Sequence, residues 1–367
     1  MPIPFVSFEL ERWQSTWENR VRFNLSESGV HPLSARELFE LAAEDPDALL
    51  DTQLVYSQSN GTDLLRSRIS ALYPEASPDQ ILVTNGSSEA NFVLCWRLIE
   101  PGDRVVVMVP NYLQTWGLVQ NLGARVAPLE YPADARTAIT PGTKLVVITN
   151  PQNPTGEVLS PAARREIIEA CRATGAWLLA DEVYQGAELD GQLTESLWGT
   201  YERTIVVNGL SKAYGLPGLR IGWIVAPRPI IAEAWGRRDY TTIGPSPLSD
   251  RLASLALEPT TRAQILERTR LILATNYPVL HAWLKRFGSS FSWAPPHAGA
   301  ICWVRFSSSA SAIEIVEHLR TEHSVLLVPG EHFGSPGHLR FGYGDEREHL
   351  KEGLAEAELG LEPFFED

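Results

Sequence analysis

The pattern of hydrophobic and polar positions along the chain is typical of an α/β protein. Short runs rich in β-branched residues are separated by longer segments that carry apolar residues at helical spacing. The runs predicted to be strands are 81–84, 104–109, 144–150, 176–181, 204–208 and 221–226. Apolar strands that alternate with helices indicate a mostly parallel sheet covered by helices on both faces.

One helix in this region has clear start and stop signals. Ser160 is a suitable N-cap, and Pro161 suits the first helical position. Gly175 suits the residue just past the C-terminus, where a left-handed backbone is common. The next predicted strand leads directly into Asp181, so this acid is expected at the carboxyl end of a buried strand.

The C-terminal part of the chain predicts a different architecture. A long helix from about residue 259 is followed by two separate strands and a polar C-terminal helix, which is typical of a smaller α+β domain. We predict a large domain over 46–255 and a small domain over 256–367. Residues 1–45 are predicted to be an N-terminal segment that packs with the small domain.

The composition narrows the classes of partner. The chain has 367 residues, 44% of them hydrophobic, and a formal net charge of −14. This acidic balance argues against nucleic acid or an anionic membrane as a partner and favours a small molecule. Three widely separated cysteines predict neither disulfides nor a metal site. Without a signal-like N-terminus or a long apolar run, a cytoplasmic location is expected.

The segment after the predicted strand 204–208 carries the clearest candidate chemistry. Gly209-Leu210-Ser211-Lys212 is followed by further glycines and by Arg220. Desolvation among small and apolar residues is expected to lower the pKa of a lysine, which favours the neutral amine that forms an imine. The planar guanidinium of Arg220 suits a phosphate group.

This segment resembles the pyridoxal-lysine motif of class I/II aminotransferases, which are fold-type I enzymes dependent on pyridoxal 5′-phosphate (PLP). The resemblance implies that PLP is attached to Lys212 as a Schiff base and that the enzyme acts on an α-amino acid. It implies an α/β large domain with a mostly parallel seven-stranded sheet and a smaller α+β domain. It also implies a homodimer with active sites shared between two subunits.

Other motifs follow in the order that this family shows. Residues 150–156, Asn-Pro-Gln-Asn-Pro-Thr-Gly, resemble a loop in which the second asparagine, here Asn153, hydrogen-bonds the phenolic oxygen of the cofactor. The resemblance implies that Asp181 keeps the pyridine nitrogen protonated and that Tyr184 donates to the same phenolic oxygen. Asp181 and Tyr184 thus join Lys212 as the expected catalytic residues.

The remaining cofactor contacts are expected around the phosphate and the ring. Ser87 and Ser88 lie between a predicted strand and an apolar helix, where free N–H groups suit a phosphate. The resemblance implies that Tyr112 stacks on the pyridine ring and that Tyr56 reaches the phosphate of the partner subunit. At position 209, glycine replaces a phosphate-binding serine of many relatives, so one hydroxyl contact is missing.

The residues expected to bind the substrate do not decide between two possible reactions. Arg340 matches the arginine that binds the substrate carboxylate, with Asn153 beside it and a backbone N–H from Gly29. The stretches 28–31 and 238–243, together with 210–220, resemble capreomycidine synthase and its relatives, which eliminate water from a hydroxylated arginine and cyclise the guanidine. An aminotransferase is predicted, with such a dehydratase/cyclase as the alternative.

His31 takes either of two roles in these readings. In the cyclase it would be an acid or base near the leaving group, and otherwise it is structural.

Two more distant functions are disfavoured. A PLP-sensing regulator needs a basic helix-turn-helix before this domain. The segment up to Arg22 is too short for one and is not basic, since its acidic residues are as many as its basic ones. An acyl-CoA-using relative carries histidine before its lysine, whereas position 211 is serine.

Overall fold

A computed structural model describes residues 4–130 and 135–365. Its helices are α1 (Glu9–Trp17), α2 (Ala35–Ala42), α3 (Asp47–Leu50), α4 (Asp63–Ser70), α5 (Gly86–Leu98), α6 (Gln114–Asn121), α7 (Ala135–Ala138), α8 (Pro161–Thr174), α9 (Arg228–Arg238), α10 (Pro247–Ala256), α11 (Pro259–Leu284), α12 (Ala312–His323) and α13 (Arg347–Phe365). Its strands are β1 (Phe23–Asn24), β2 (Ile81–Asn85), β3 (Arg104–Val109), β4 (Arg125–Glu130), β5 (Thr143–Thr149), β6 (Trp177–Asp181), β7 (Thr204–Gly209), β8 (Ile221–Val225), β9 (Phe291–Trp293), β10 (Ile301–Phe306), β11 (Val325–Leu326), β12 (Val328–Pro329) and β13 (His338–Gly342).

The described residues form a seven-stranded sheet in the order β2-β8-β7-β6-β5-β3-β4. Strand β8 runs antiparallel to β2 and β7, and the other neighbouring pairs are parallel. The predicted mostly parallel sheet is therefore confirmed. Strand β4 was not predicted, because it lies at the sheet edge, is largely accessible, and contains Pro128.

Both faces of this sheet are buried, which explains its continuous apolar strands. Successive residues alternate between two cores: on β3, Val105 packs in the same core as α5 and α9, and Val106 packs in the core that contains α8 and α11. Helices on both faces leave the strand ends as the accessible part of the sheet. Functional side chains in such folds lie at the carboxyl ends of the strands.

The sequence predicted both ends of α8 correctly, but it placed the start of α5 too late. In α8 the Ser160 hydroxyl accepts a hydrogen bond from the Ala163 N–H at 3.2 Å, and Gly175 has φ 72°, as predicted. In contrast, the apolar helix expected from residue 91 begins at Gly86. Its first turn therefore contains Ser87 and Ser88, which apolar periodicity alone does not reveal.

The C-terminal part of the chain contains two smaller sheets. One is an antiparallel sheet in the order β12-β13-β10-β9, and the other pairs β1 with β11 in parallel. The N-terminal segment thus contacts the C-terminal part of the chain at Phe23 and Asn24. The domain boundaries at 45 and 255 remain predictions, and residues 1–3 and 366–367 of the predicted domains lie outside the described residues.

No helix within 4–130 or 135–365 is both long and apolar enough to cross a bilayer. Cys95, Cys171 and Cys302 are buried and unbridged, as expected for cysteines that pack as small apolar residues.

Candidate active site

A cavity of about 320 Å³ lies at the carboxyl ends of β3, β5, β6 and β7, a size within the range of small-molecule sites. It is lined by most of the polar residues that the sequence analysis selected. These are Ser87, Ser88, Tyr112, Asn153, Asp181, Tyr184, Lys212, Arg220 and Arg340. They come from separate strand ends, one helix start and β13, so the fold brings them together from distant parts of the chain.

Lys212 follows β7 and reaches this cavity, where its Nζ donates to Glu27 Oε1 at 2.9 Å. Burial lowers the pKa of Lys212, but the charges of Glu27 and Tyr184 and the hydrogen bond to Glu27 outweigh burial, so the pKa lies above the ordinary 10.5. The expectation of a lowered pKa is therefore wrong in this structure. The reason is a nearby carboxylate that the sequence around Lys212 does not contain.

Asp181 ends β6 with its carboxylate facing the cavity. It accepts hydrogen bonds from the Asn91 side-chain amide at 3.5 Å and from the Val183 N–H at 3.2 Å. Burial raises the pKa of Asp181 to about 6. A buried carboxylate whose hydrogen-bond donors are neutral groups is well placed to hold a protonated nitrogen, such as that of a pyridinium ring.

The first turn of α5 and Arg220 form a phosphate cradle, which we define as Ser87, Ser88 and Arg220. The first N–H groups of a helix have no partner within the helix. Two glycines permit the close approach: a Cβ at Gly86 would lie 2.4 Å from Arg220 Nη2, and one at Gly222 would lie 2.4 Å from the Ser87 backbone nitrogen. Arg220 adopts a left-handed backbone with φ 50°. This geometry fits a phosphate group.

Packing explains why position 209 is glycine rather than serine. Gly209 pairs with Gly222 across β7 and β8, and a Cβ there would lie 3.2 Å from the Gly222 Cα and 3.0 Å from the Ile221 carbonyl oxygen. Such contacts are tighter than ordinary van der Waals distances, so a serine would require the neighbouring strand to shift.

Arg340 on β13 is 1% exposed and rigidly held. Its Nη1 donates to Asn153 Oδ1 at 2.9 Å, and its Nη2 donates to the Ser26 carbonyl oxygen at 2.6 Å. Its Nε has no partner among the described residues. A buried guanidinium N–H without an acceptor beside a cavity fits an incoming carboxylate.

Two tyrosines complete the predicted set in the cavity. The Tyr184 hydroxyl donates to Ser28 Oγ at 3.0 Å, and the side chain is buried. The Tyr112 hydroxyl donates to Glu11, and its ring packs edge-on against Phe8 with centroids 4.9 Å apart. Both rings are therefore held in fixed positions.

Three predicted site residues do not line the cavity. Tyr56 is 89% exposed on the surface. Gly29 lies behind the cavity wall, where its N–H donates to Glu27 Oε1 at 2.7 Å. His31 lies 3.5 Å from Asp345 and 3.4 Å from Glu346, so its ring faces acidic residues near the start of α13.

Sequence reasoning missed several polar residues of the cavity wall, among them Glu11, Glu18, Glu27 and Asn91. Asn91 stands one helical turn after Ser87, and a polar residue in an apolar helix is a usable signal. Glu11 and Glu18 are two turns apart on one face of the N-terminal helix region. Glu27 lies two positions before Gly29, but its importance depends on a contact 185 residues away.

Comparison with known proteins decides the family. Residues 29–356 match the model of the aminotransferase class I and II family. The chain belongs to this family. Its enzymes depend on PLP, and the cavity fits this cofactor, since an anion cradle, a buried carboxylate and a lysine amine surround the same space.

Individual members of the aminotransferase class I and II family resemble this chain over almost its whole length. Capreomycidine synthase from Streptomyces vinaceus is 33% identical over 94% of this chain and 91% of its own. A PLP-dependent aminotransferase from Streptococcus suis 89-1591 is 33% identical with a TM-score of 0.92, covering 100% of both chains. The PLP-dependent cyclase OrfR is 30% identical with a TM-score of 0.90, covering 99% of both. The predicted fold-type I architecture and enzyme class are confirmed.

Proposed function

We propose that this protein holds PLP on Lys212 and uses it to activate the Cα bonds of an amino-acid substrate, as an aminotransferase. The observation that carries this proposal is the convergence of Lys212, Asp181 and Arg340 on one cavity. These three groups supply an attachment point, a partner for a pyridinium nitrogen and a carboxylate site.

Each end of the cofactor has matching residues in the cavity. The phosphate cradle would hold the phosphate, and Asp181 would hold the ring nitrogen. Asn153 accepts from Arg340 through Oδ1, which leaves its amide nitrogen to donate to the phenolic oxygen beside the Tyr184 hydroxyl. Tyr112 covers a face of the ring.

The residues of the chain then position the substrate and move its proton. PLP, when bound, supplies an electron-withdrawing ring that stabilises negative charge at Cα. Arg340 fixes the substrate carboxylate through its free Nε, with Nη1 and Nη2 already anchored. Lys212 Nζ lines the same cavity and would take the Cα proton, and a base held near the reacting atom contributes about 10²–10⁴-fold to rate.

The assembly is proposed to be a homodimer. Large hydrophobic side chains at the edge of the large domain are exposed, with Leu50 at 80%, Leu54 at 79%, Tyr56 at 89% and Tyr240 at 83%. A second copy of the chain would cover them, and Tyr56 would then reach the phosphate cradle of the partner subunit. Light scattering gives the mass in solution. Tyr56→Phe is expected to weaken cofactor binding only if the protein is dimeric.

One experiment tests the reaction class. The PLP-loaded enzyme is incubated with amino acids in the presence and absence of 2-oxoglutarate or pyruvate, and products are identified by mass spectrometry. An aminotransferase gives a keto acid from the first substrate only when an acceptor keto acid is supplied for repeated turnover. Product formation that is independent of any keto acid contradicts this assignment.

A second candidate is elimination and cyclisation of a hydroxylated arginine. It is favoured by similarity to capreomycidine synthase and to the cyclase OrfR over more than nine-tenths of the chain. Incubation with 3-hydroxy- and 4-hydroxyarginine tests it directly, since a cyclic product has the mass of the substrate minus one water. His31 lies outside the cavity wall and faces Asp345 and Glu346, so we assign it no role at the leaving group.

A further inference from the structure

The cavity contains more carboxylates than PLP and a simple amino acid require. Its charged lining residues are Glu11, Glu18, Glu27, Asp181, Lys212, Arg220 and Arg340. Under the proposed function, Arg220 binds the phosphate, Arg340 binds the substrate carboxylate, and Asp181 binds the ring nitrogen. Three glutamates remain, which we call the glutamate cluster (Glu11, Glu18 and Glu27).

Glu27 has a cationic partner that the proposed function removes. Its Oε1 accepts from Lys212 Nζ at 2.9 Å and from the N–H groups of Ser28 and Gly29 at 2.8 and 2.7 Å. Burial disfavours its charge, but Lys212 and these hydrogen bonds, with Arg340 at longer range, lower the pKa of Glu27 to about 2. Under the proposed function Lys212 has to be a neutral amine to take the Cα proton, so with substrate bound it would no longer offer an ammonium group to Glu27. Glu27 is then a charged carboxylate without a hydrogen-bonded cation.

Glu18 has no such partner even before substrate arrives. Among the described residues its carboxylate makes no hydrogen bond or ion pair. Burial raises the pKa of Glu18, and the charges of Glu27 and Glu11 raise it further, although the more distant charge of Lys212 opposes them. Glu11 already accepts a hydrogen bond from the Tyr112 hydroxyl. The three carboxylates are therefore close enough to repel one another, and a cation between them relieves that repulsion.

An independent feature points to a ligand in the same cavity. Arg340 is 1% exposed, and its Nε lacks a partner among the described residues. The cavity thus presents an anion-binding donor together with an uncompensated acidic wall. An amino acid fills both requirements when its carboxylate meets Arg340 and its side chain ends in a positive charge.

We propose that this enzyme prefers amino acids with a cationic side chain, of the guanidinium or ammonium class, and that Glu18 and Glu27 determine this preference. The inference rests on the proposed function, because it requires an amino acid bound at the PLP site. Glu11 contributes through its negative charge, with its hydrogen bond retained by Tyr112.

The experiment compares L-arginine with L-citrulline, which has nearly the same shape but a neutral end group. Each is titrated into the PLP-loaded protein, and binding is followed by the change in cofactor absorption. We expect the wild type to bind arginine about tenfold or more tightly than citrulline, since hydrogen bonds to charged groups are the stronger ones. Glu18→Gln should reduce that ratio while leaving the Kd of citrulline nearly unchanged. Glu27→Gln should reduce the ratio too, but it should also change the Kd of citrulline, because Glu27 is hydrogen-bonded to Lys212.

The matched control is Glu322→Gln, which removes one negative charge from an exposed position on α12. It should preserve the wild-type ratio. Before titration, each variant is checked for bound cofactor by its absorption spectrum, and Glu18→Gln serves as the test if Glu27→Gln fails to load. A loss of both arginine and citrulline binding in loaded Glu18→Gln would contradict a role of Glu18 confined to side-chain charge.

The possible failures are distinguishable. If no amino acid changes the cofactor spectrum of the wild type, the proposed function is wrong. If arginine and citrulline bind with equal Kd, the proposed function stands and the preference for a cation is wrong. If both glutamate variants keep the wild-type ratio, the assignment of Glu18 and Glu27 is overturned.

Discussion

Replacing Gly222 with alanine is expected to disrupt the phosphate cradle specifically. Gly222 lies on β8 between β2 and β7, and an added Cβ would lie 2.4 Å from the Ser87 nitrogen and 2.5 Å from the Gly86 carbonyl carbon. These are backbone atoms at the start of α5, so no flexible side chain can move aside. The first turn of α5 must therefore shift away from β8 and from Arg220.

The expected magnitude follows from the cost of overpacking. An extra methyl group in a well-packed site costs about 1–3 kcal/mol. If that displacement falls on the cradle, the Kd for PLP rises about 5- to 150-fold, since each 1.4 kcal/mol is a factor of ten. Pyridoxal should lose much less affinity because it lacks the phosphate group that the cradle binds.

The assay measures PLP and pyridoxal binding to the apoprotein by absorption titration. Gly218→Ala is the matched control, because a Cβ there meets nothing within 4 Å, although Gly218 lies in the same glycine-rich segment. It should bind both ligands as the wild type does. Equal loss of PLP and pyridoxal affinity in Gly222→Ala, or no loss at all, would refute the cradle geometry.

Three further predictions concern other parts of the site. Borohydride reduction of the PLP-loaded protein followed by peptide mass spectrometry should place the cofactor on Lys212, and Lys212→Ala should abolish turnover; label on another lysine contradicts the assignment. In the apoprotein, burial raises the pKa of Asp181 from 3.8 to about 6, so its ionisation costs stability as pH rises through that window. The free energy of unfolding of Asp181→Asn, measured relative to wild type, should therefore rise by about 3 kcal/mol from about pH 4 to pH 6. Urea denaturation measures this difference, and a difference that does not change with pH refutes the prediction. Glu89→Gln should cost about 3 kcal/mol or more, because it leaves the fully buried Arg238 guanidinium without its carboxylate partner. Glu195→Gln should cost less than about 1 kcal/mol, because the Glu195 side chain is 86% exposed in its pair with Arg164. Equal losses would show that burial of the carboxylate is unimportant.

The local sequence pattern was sufficient to predict many of the secondary-structure elements and to recognise the motifs. Apolar runs of strand length predicted six strands of the large sheet, and Ser160 with Gly175 predicted both ends of α8. Motifs such as Gly209 to Lys212 and 150–156 are contiguous, so their resemblance to a family can be recognised without knowing the fold. The family match and the relatives confirm that recognition.

The failure to predict strand β4 and the late start predicted for α5 have a common cause. Strand β4 is accessible and contains a proline, and the first turn of α5 is polar, so neither has the apolar pattern that defines a buried element. In both cases the neighbouring structure, rather than the local side chains, completes the element. The sheet edge is paired with β3, and the helix start packs against β8.

By itself the sequence determined which chemistry the protein carries, because the lysine, acid and asparagine motifs are short and lie directly after predicted strands. Only the tertiary structure decided the charge environment of that chemistry. Glu27 is 185 residues from Lys212, yet its carboxylate reverses the expected shift in the lysine pKa. Electrostatic interactions act through space over a few ångströms, and sequence spacing does not encode that distance when two segments meet only in the folded chain.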